Sequence, residues 1–128
     1  ILKEKKIREK LLKENLKKIL KDLKKLGANK VYLFGSLLKN NIDFYSDIDL
    51  FVIMPSTKSG KEWSKIIYEE IEKTVAVNFI VFNEKEFQEE KEINPFIKDI
   101  IENGKLIYSK NLKLVYRGSG TLYTIFKI

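Results

Sequence analysis

Two aspartates, one residue apart at the head of an apolar strand, constrain this chain more than any other feature. Asp47-Ile48-Asp49 opens the run Leu50-Phe51-Val52-Ile53-Met54, which Pro55 closes. An earlier apolar segment, Val31-Tyr32-Leu33-Phe34, ends at Gly35-Ser36, ten residues before Asp47. Alternate side chains of a strand leave the same face. Asp47 and Asp49 therefore share a face, with Cα atoms about 6.6 Å apart. Ile48, Leu50, Val52 and Met54 take the opposite face and bury it. Carboxylates so placed repel, yet they can bracket hard cations, as in two-metal phosphoryl-transfer sites with ions about 3.5–4 Å apart. The plain alternative is a turn-to-strand edge with Ser46-Asp47 as a cap, and for a lone Asp-x-Asp that alternative carries more weight.

Gly35-Ser36 adds a second, independent part. A glycine at the end of a strand can take dihedrals closed to other residues and let a phosphate approach the backbone. Amides that open a following helix or turn point at such an anion. The Ser36 hydroxyl can donate to a phosphate oxygen. The two parts occur in order, each at a predicted strand end, and together they outweigh the structural alternative.

Composition limits the chemistry further. The chain has 128 residues, enough for one domain with a real core, and contains neither Cys nor His. Thiolate and imidazole metal sites are excluded, so any metal uses oxygen ligands, which points to Mg²⁺ or Mn²⁺. The lack of Cys suits a reducing cytosol, and a cytoplasmic setting is expected. The chain opens on charges without an apolar leader, and no run approaches membrane-spanning length. The net charge of +7 is confined to residues 1–26, with eleven Lys/Arg against four Asp/Glu; the rest is neutral. That distribution argues against a body-wide nucleic-acid groove.

Residues 3–26 read as an amphipathic helix with Ile7, Leu11, Leu12, Leu16, Ile19, Leu20, Leu23 and Leu26 at helical spacing, stopped by Gly27. Glu4–Arg8, Glu9–Lys13 and Glu14–Lys18 are favourable i,i+4 pairs. Two readings stand: the apolar stripe packs on the core with lysines solvated outside, or the helix is a basic element for nucleic acid or a membrane surface. The first is favoured. Strands are expected at 31–34, 48–54, 75–82 and 105–108. Helices are expected at 61–73, from Asn83 with Glu86 as capping-box partner, and from Asn94-Pro95 to Gly104. Trp63, Ile66, Ile67 and Ile71 form the inner side of the 61–73 helix, with Trp63 read as core. The expected fold is α/β (α+β): a small mixed sheet flanked by helices. Residues 1–110 form the domain. Residues 111–128 are an extension, readable as a hairpin turning at Arg117-Gly118-Ser119-Gly120.

Gly-Ser, ten residues, Asp-x-Asp resembles the signature of the polymerase-β-like nucleotidyltransferases. The compact form is similar to the minimal nucleotidyltransferase domains often paired with HEPN-domain toxins. The likeness covers about residues 27–109, including Pro95–Tyr108 as closing helix and strand. It implies that Gly35 and Ser36 bind a triphosphate and that Asp47 and Asp49 ligate Mg²⁺. It also implies transfer of a nucleotide, AMP from ATP, to a hydroxyl of a HEPN-type partner protein; the absence of a membrane-spanning run separately argues for no membrane partner. The family's third carboxylate falls at Asn78, an amide that cannot accept a proton. Its arginine after Gly-Ser is replaced by Leu37 and Leu38, with Lys39 the nearest cation, a point charge and not a bidentate fork. Asp43 lies in the unmatched loop and reads as a solvated acid. Asn78 keeps open an alternative: a catalytically degenerate nucleotide-binding antitoxin that acts by contact.

Overall fold

A computed structural model describes residues 2–39, 47–111, 115–116 and 122–123. Helix α1 spans Leu2–Leu26, and strands β1 (Lys30–Phe34) and β2 (Ile48–Met54) follow. Helix α2 (Gly60–Glu70), strand β3 (Val77–Asn83), helices α3 (Glu84–Glu90) and α4 (Pro95–Asn103) and strand β4 (Lys105–Ser109) complete the main body. A separate antiparallel pair, β5 (Val115–Tyr116) and β6 (Leu122–Tyr123), matches Val115 with Tyr123. The connection through Arg117–Gly120 lies outside the described residues, as do Asn40 and Asp43.

The sheet is mixed, in the order β3-β2-β1-β4. β1 is antiparallel to both β2 and β4, while β2 and β3 run parallel. A parallel neighbour needs a crossover, and α2 supplies it between β2 and β3.

The sheet is covered on both sides, so β2 is buried on both faces, as its apolar run demands. Ile48, Leu50, Val52 and Met54 pack with Leu12, Ile19 and Leu23 of α1 and with Trp63 and Ile67 of α2. Phe51 and Ile53 pack with Tyr32, with Phe87 of α3 and with Ile97 and Ile100 of α4. Phe51 meets Phe82 edge-on at 5.3 Å, a favoured ring geometry. Each fully buried aliphatic side chain contributes about 1.5–3 kcal/mol relative to exposure. β4 joins β1 through a register shift between Val31 and Tyr32. Ile107 and Tyr108 consequently enter the same core cluster although they are consecutive.

The helix expected at residues 3–26 forms, with a revised stripe. Leu12, Ile19 and Leu23 are fully buried and Leu16 is partly so, but Ile7 is 60% and Leu11 38% exposed. Core contact therefore begins at Leu12, in the third turn of the helix. Glu9–Lys13 closes at 2.7 Å, whereas Lys18 reaches Glu72 at 3.9 Å. Asn15 explains the helix's position. Its Nδ2 donates to Leu11 O at 3.0 Å, and its Oδ1 accepts from Thr74 N at 3.2 Å and Thr74 Oγ1 at 3.0 Å.

That attachment also accounts for two shifted boundaries. α2 ends at Glu70 and not at residue 73, and β3 starts at Val77 and not at residue 75. The chain from Ile71 to Ala76 leaves regular structure to reach Asn15, and pairing resumes at Ile48–Val77. α2 also starts earlier than expected. Ser59 caps it and Glu62 completes a capping box, with Glu62 N donating to Ser59 Oγ at 3.1 Å. Trp63 is core as expected, its Nε1 donating to Pro55 O at 2.8 Å. No described helix is long and apolar enough to cross a membrane.

Candidate functional site

The two central strands and one edge strand converge at one end of the sheet. Phe34, the last residue of β1, pairs with Asp49, and Asp49 pairs with Asn78 of β3. Three neighbouring strands thus bring the Gly35 turn, Asp49 and Asn78 to one level. Alternation puts Asp49 on the face of Phe51 and Ile53, and Asn78 on the face of Ile80 and Phe82. Both are the face covered by α3 and α4. Neither helix covers the end of the sheet: Asp49 is half-buried and Asn78 is exposed.

Asn78 Nδ2 donates to Asp49 Oδ1 at 2.9 Å. The other carboxylate oxygen lies against the Gly35 turn. Gly35 has φ +80°, a left-handed conformation that favours glycine. A Cβ built there would fall on Asp49 Oδ2 and come within 3.0 Å of Asp49 Cγ. Gly35 is thus required twice, for its dihedral and for the space its missing side chain leaves to the carboxylate.

Ser36 is half-buried in a turn that runs from Ser36 to Lys39, and Lys39 N donates to Gly35 O at 3.2 Å. The segment is a turn, the shorter of the two forms expected there. Lys39 is exposed. Asp47 stands one residue ahead of β2 and is half-buried. The next residue, Ile48, is tied to β3's approach by Ile48 N donating to Ala76 O at 3.1 Å.

Among the described residues no group of three or more His, Cys, Asp or Glu is placed to hold a metal ion. The available donors are the oxygens of Asp47 and Asp49, with the Asn78 amide beside them. That set suits a hard ion which keeps water and phosphate oxygens in its shell, the habit of Mg²⁺ at sites with one or two carboxylates.

Two supporting side chains make contacts that carry no sequence signal. Tyr68 Oη accepts from Phe79 N at 2.9 Å, and its ring meets Phe79 edge-on at 5.2 Å. β3 is an edge strand, so Tyr68 satisfies an N–H that the sheet leaves open. Glu86 is the second. Its Oε1 accepts from Asn83 N at 2.7 Å, as the Asn83 capping box requires, and also from Gly60 N at 3.0 Å. One carboxylate therefore ties the starts of α2 and α3 together. The reach to Gly60 is a tertiary contact that local spacing does not encode.

The sequence profile of the nucleotidyltransferase domain family matches residues 13–108, three-quarters of the chain. No curated protein and no solved structure matches it. The matched segment runs from Lys13 in α1 to Tyr108 in β4 and contains every residue of the site above. The chain belongs to the nucleotidyltransferase domain family.

Proposed function

We propose that this domain transfers a nucleotide from a nucleoside triphosphate, with AMP from ATP as the expected case, to a hydroxyl group. The observation that supports this most is the meeting of the Gly35 turn with the Asp49 carboxylate at an end of the sheet that neither α3 nor α4 covers. A phosphate needs backbone exposed by a missing side chain, and a hard cation needs oxygen donors next to it. Gly35 and Ser36 would receive the phosphates, with Lys39 as the nearest cation. Asp47 and Asp49 would hold Mg²⁺. When bound, the ion neutralises phosphate charge and favours in-line displacement at the α-phosphorus. The acceptor oxygen bonds to that phosphorus, the bond to the bridging oxygen breaks, and pyrophosphate leaves. Of the described carboxylate and amide side chains at the site, the two aspartates can accept the hydroxyl proton and the Asn78 amide cannot. The acceptor hydroxyl belongs to a partner protein in this reading, a HEPN-type toxin by the family resemblance, and the setting is cytoplasmic.

A second reading has its own observation. The Asn78 amide occupies one oxygen of Asp49 with a hydrogen bond. A site held that way binds nucleotide and transfers slowly, and the protein would then act by contact with its partner. Calorimetry with ATP, with and without Mg²⁺, tests the shared part of both readings. Binding should require Mg²⁺ and should vanish in Asp49→Ala. Equal affinity with and without metal, unchanged in the variant, removes the site. Labelled transfer to an acceptor then separates the enzyme from the binding protein.

A further inference from the structure

The outer face of α1 carries lysine once per turn. Lys3, Lys6, Lys10, Lys13, Lys17 and Lys21 recur at spacings of three and four, and all are exposed. With 3.6 residues per turn, they follow the face away from Leu12, Ile19 and Leu23, which are buried in the core. The row runs about 27 Å, with a positive charge about every 5.4 Å. Glu14 is the acid on that face, and Glu9 engages Lys13 at 2.7 Å. Lys3, Lys6, Lys10, Lys17 and Lys21 form no ion pair among the described residues. An ordinary soluble surface intersperses both signs. Here residues 1–26 carry the whole net charge of +7 and the rest of the chain is neutral.

We infer that this lysine row is a docking face for the phosphate backbone of a nucleic acid. The inference stands apart from the transfer reaction and holds whether or not the site turns over. Two observations select this partner. A linear ladder of like charges at one per turn matches a linear polyanion, and a duplex presents one negative charge per about 1.7 Å of its axis. A helix lying in a membrane interface must instead insert an apolar face. From Leu12 onward the apolar face of α1 is committed to the core, with Leu12 and Leu23 0% exposed, which leaves Ile7 and Leu11 as its exposed apolar side chains among the described residues, too few to seat the helix in a membrane. The row bears no aromatic side chain and no base-reading pattern, so contact is with phosphates and carries no sequence preference. Its exposed first turns lie towards the carboxylate end of the sheet. Asn15 is fixed to Thr74 near the start of β3, whereas Ala28 and Asn29, past the helix's end, bond towards Leu23 and Ile53.

The test is fluorescence anisotropy with a labelled RNA or DNA duplex of about 20 base pairs, titrated from about 50 to 200 mM salt. Each phosphate contact adds about −0.9 to the slope of log K against log salt, so six contacts give about −5. Replacing Lys6, Lys10, Lys17 and Lys21 with Gln should lower the slope by about 3 to 4, and replacing them with Arg should preserve it. All four are exposed, so the melting temperature should hold in both variants. Absence of binding at about 50 mM salt overturns the inference, as does binding that the Gln variant leaves intact. Co-sedimentation with phosphatidylserine vesicles that a competing duplex does not reverse would assign the row to a membrane surface and overturn it as well.

Discussion

Asn78 Nδ2 donates to Asp49 Oδ1 at 2.9 Å, from the residue directly across the parallel β2–β3 ladder. That geometry makes Asn78→Asp a sharp probe. An aspartate there can no longer donate and stands as a like charge beside Asp49, so without metal the variant should melt earlier than the wild type. With Mg²⁺ it should recover more than the wild type gains. General-base catalysis is worth about 10²–10⁴-fold, and transfer from labelled ATP should rise by a share of that range. A wild type at full rate that Asn78→Asp slows would show that Asn78 is not a degenerate ligand.

The two glycines with positive φ separate backbone strain from close approach. Gly27 has φ +102° and an added Cβ would meet nothing nearer than 3.9 Å, while at Gly35 it would fall on the Asp49 carboxylate. Gly27→Ala should cost about 1–2 kcal/mol, the left-handed penalty alone. Gly35→Ala should cost more and should also abolish nucleotide binding, because either Asp49 or the turn must move. Urea midpoints for both variants, with ATP binding alongside, measure the difference.

Glu86 serves two backbone amides, Asn83 N and Gly60 N. Glu86→Ala should destabilise by about 2–3 kcal/mol, more than the roughly 1 kcal/mol of a lost single cap. Ser59→Ala removes one cap only and should stay near the lower figure. Thermal melts of the two variants decide the ranking.

Tyr32 predicts a pH dependence. Burial first, and Glu84 second, push its phenol above the ordinary value of 10.0. The unfolded chain then releases this proton at a lower pH than the native protein does. Its contribution to stability is complete below about pH 10 and is lost as pH rises through the raised native value. Tyr32→Phe should therefore flatten part of the alkaline decline while leaving the neutral-pH slope unchanged. Denaturant unfolding from pH 8 to 11 in both proteins checks the sign.

What could be read in advance follows from where the information lies along the chain. The alternation of Ile48–Met54 forecast a strand burying Ile48, Leu50, Val52 and Met54 on one face, and Asn83 with Glu86 marked a helix start, because each signal is local; burial of Phe51 and Ile53 on the other face depends on α3 and α4. The register that sets Asn78 beside Asp49 agrees with the alternation, but it depends on pairing that only the folded sheet provides. The end of α2 was misplaced because Asn15, fifty-nine residues before Thr74, draws the chain out of the helix. Ile7 and Leu11 fit the helical spacing and yet face solvent, since periodicity reports a face and not what lies opposite it. Tyr68 and the Glu86–Gly60 bond were illegible for the same reason.

β2 is bonded along both edges and covered on both faces. Such a strand exchanges its amide hydrogens only when the whole domain opens, whereas helix ends open by local fraying. Asp49 is carried on that slowest-opening segment, and its neighbours Phe34 and Asn78 are strand residues laddered to it. The first turns of α1 can come and go without altering the spacing of the acidic edge. Heat or denaturant should leave nucleotide affinity level up to the main transition and then remove it in one step, so the ligand itself reports the integrity of the sheet.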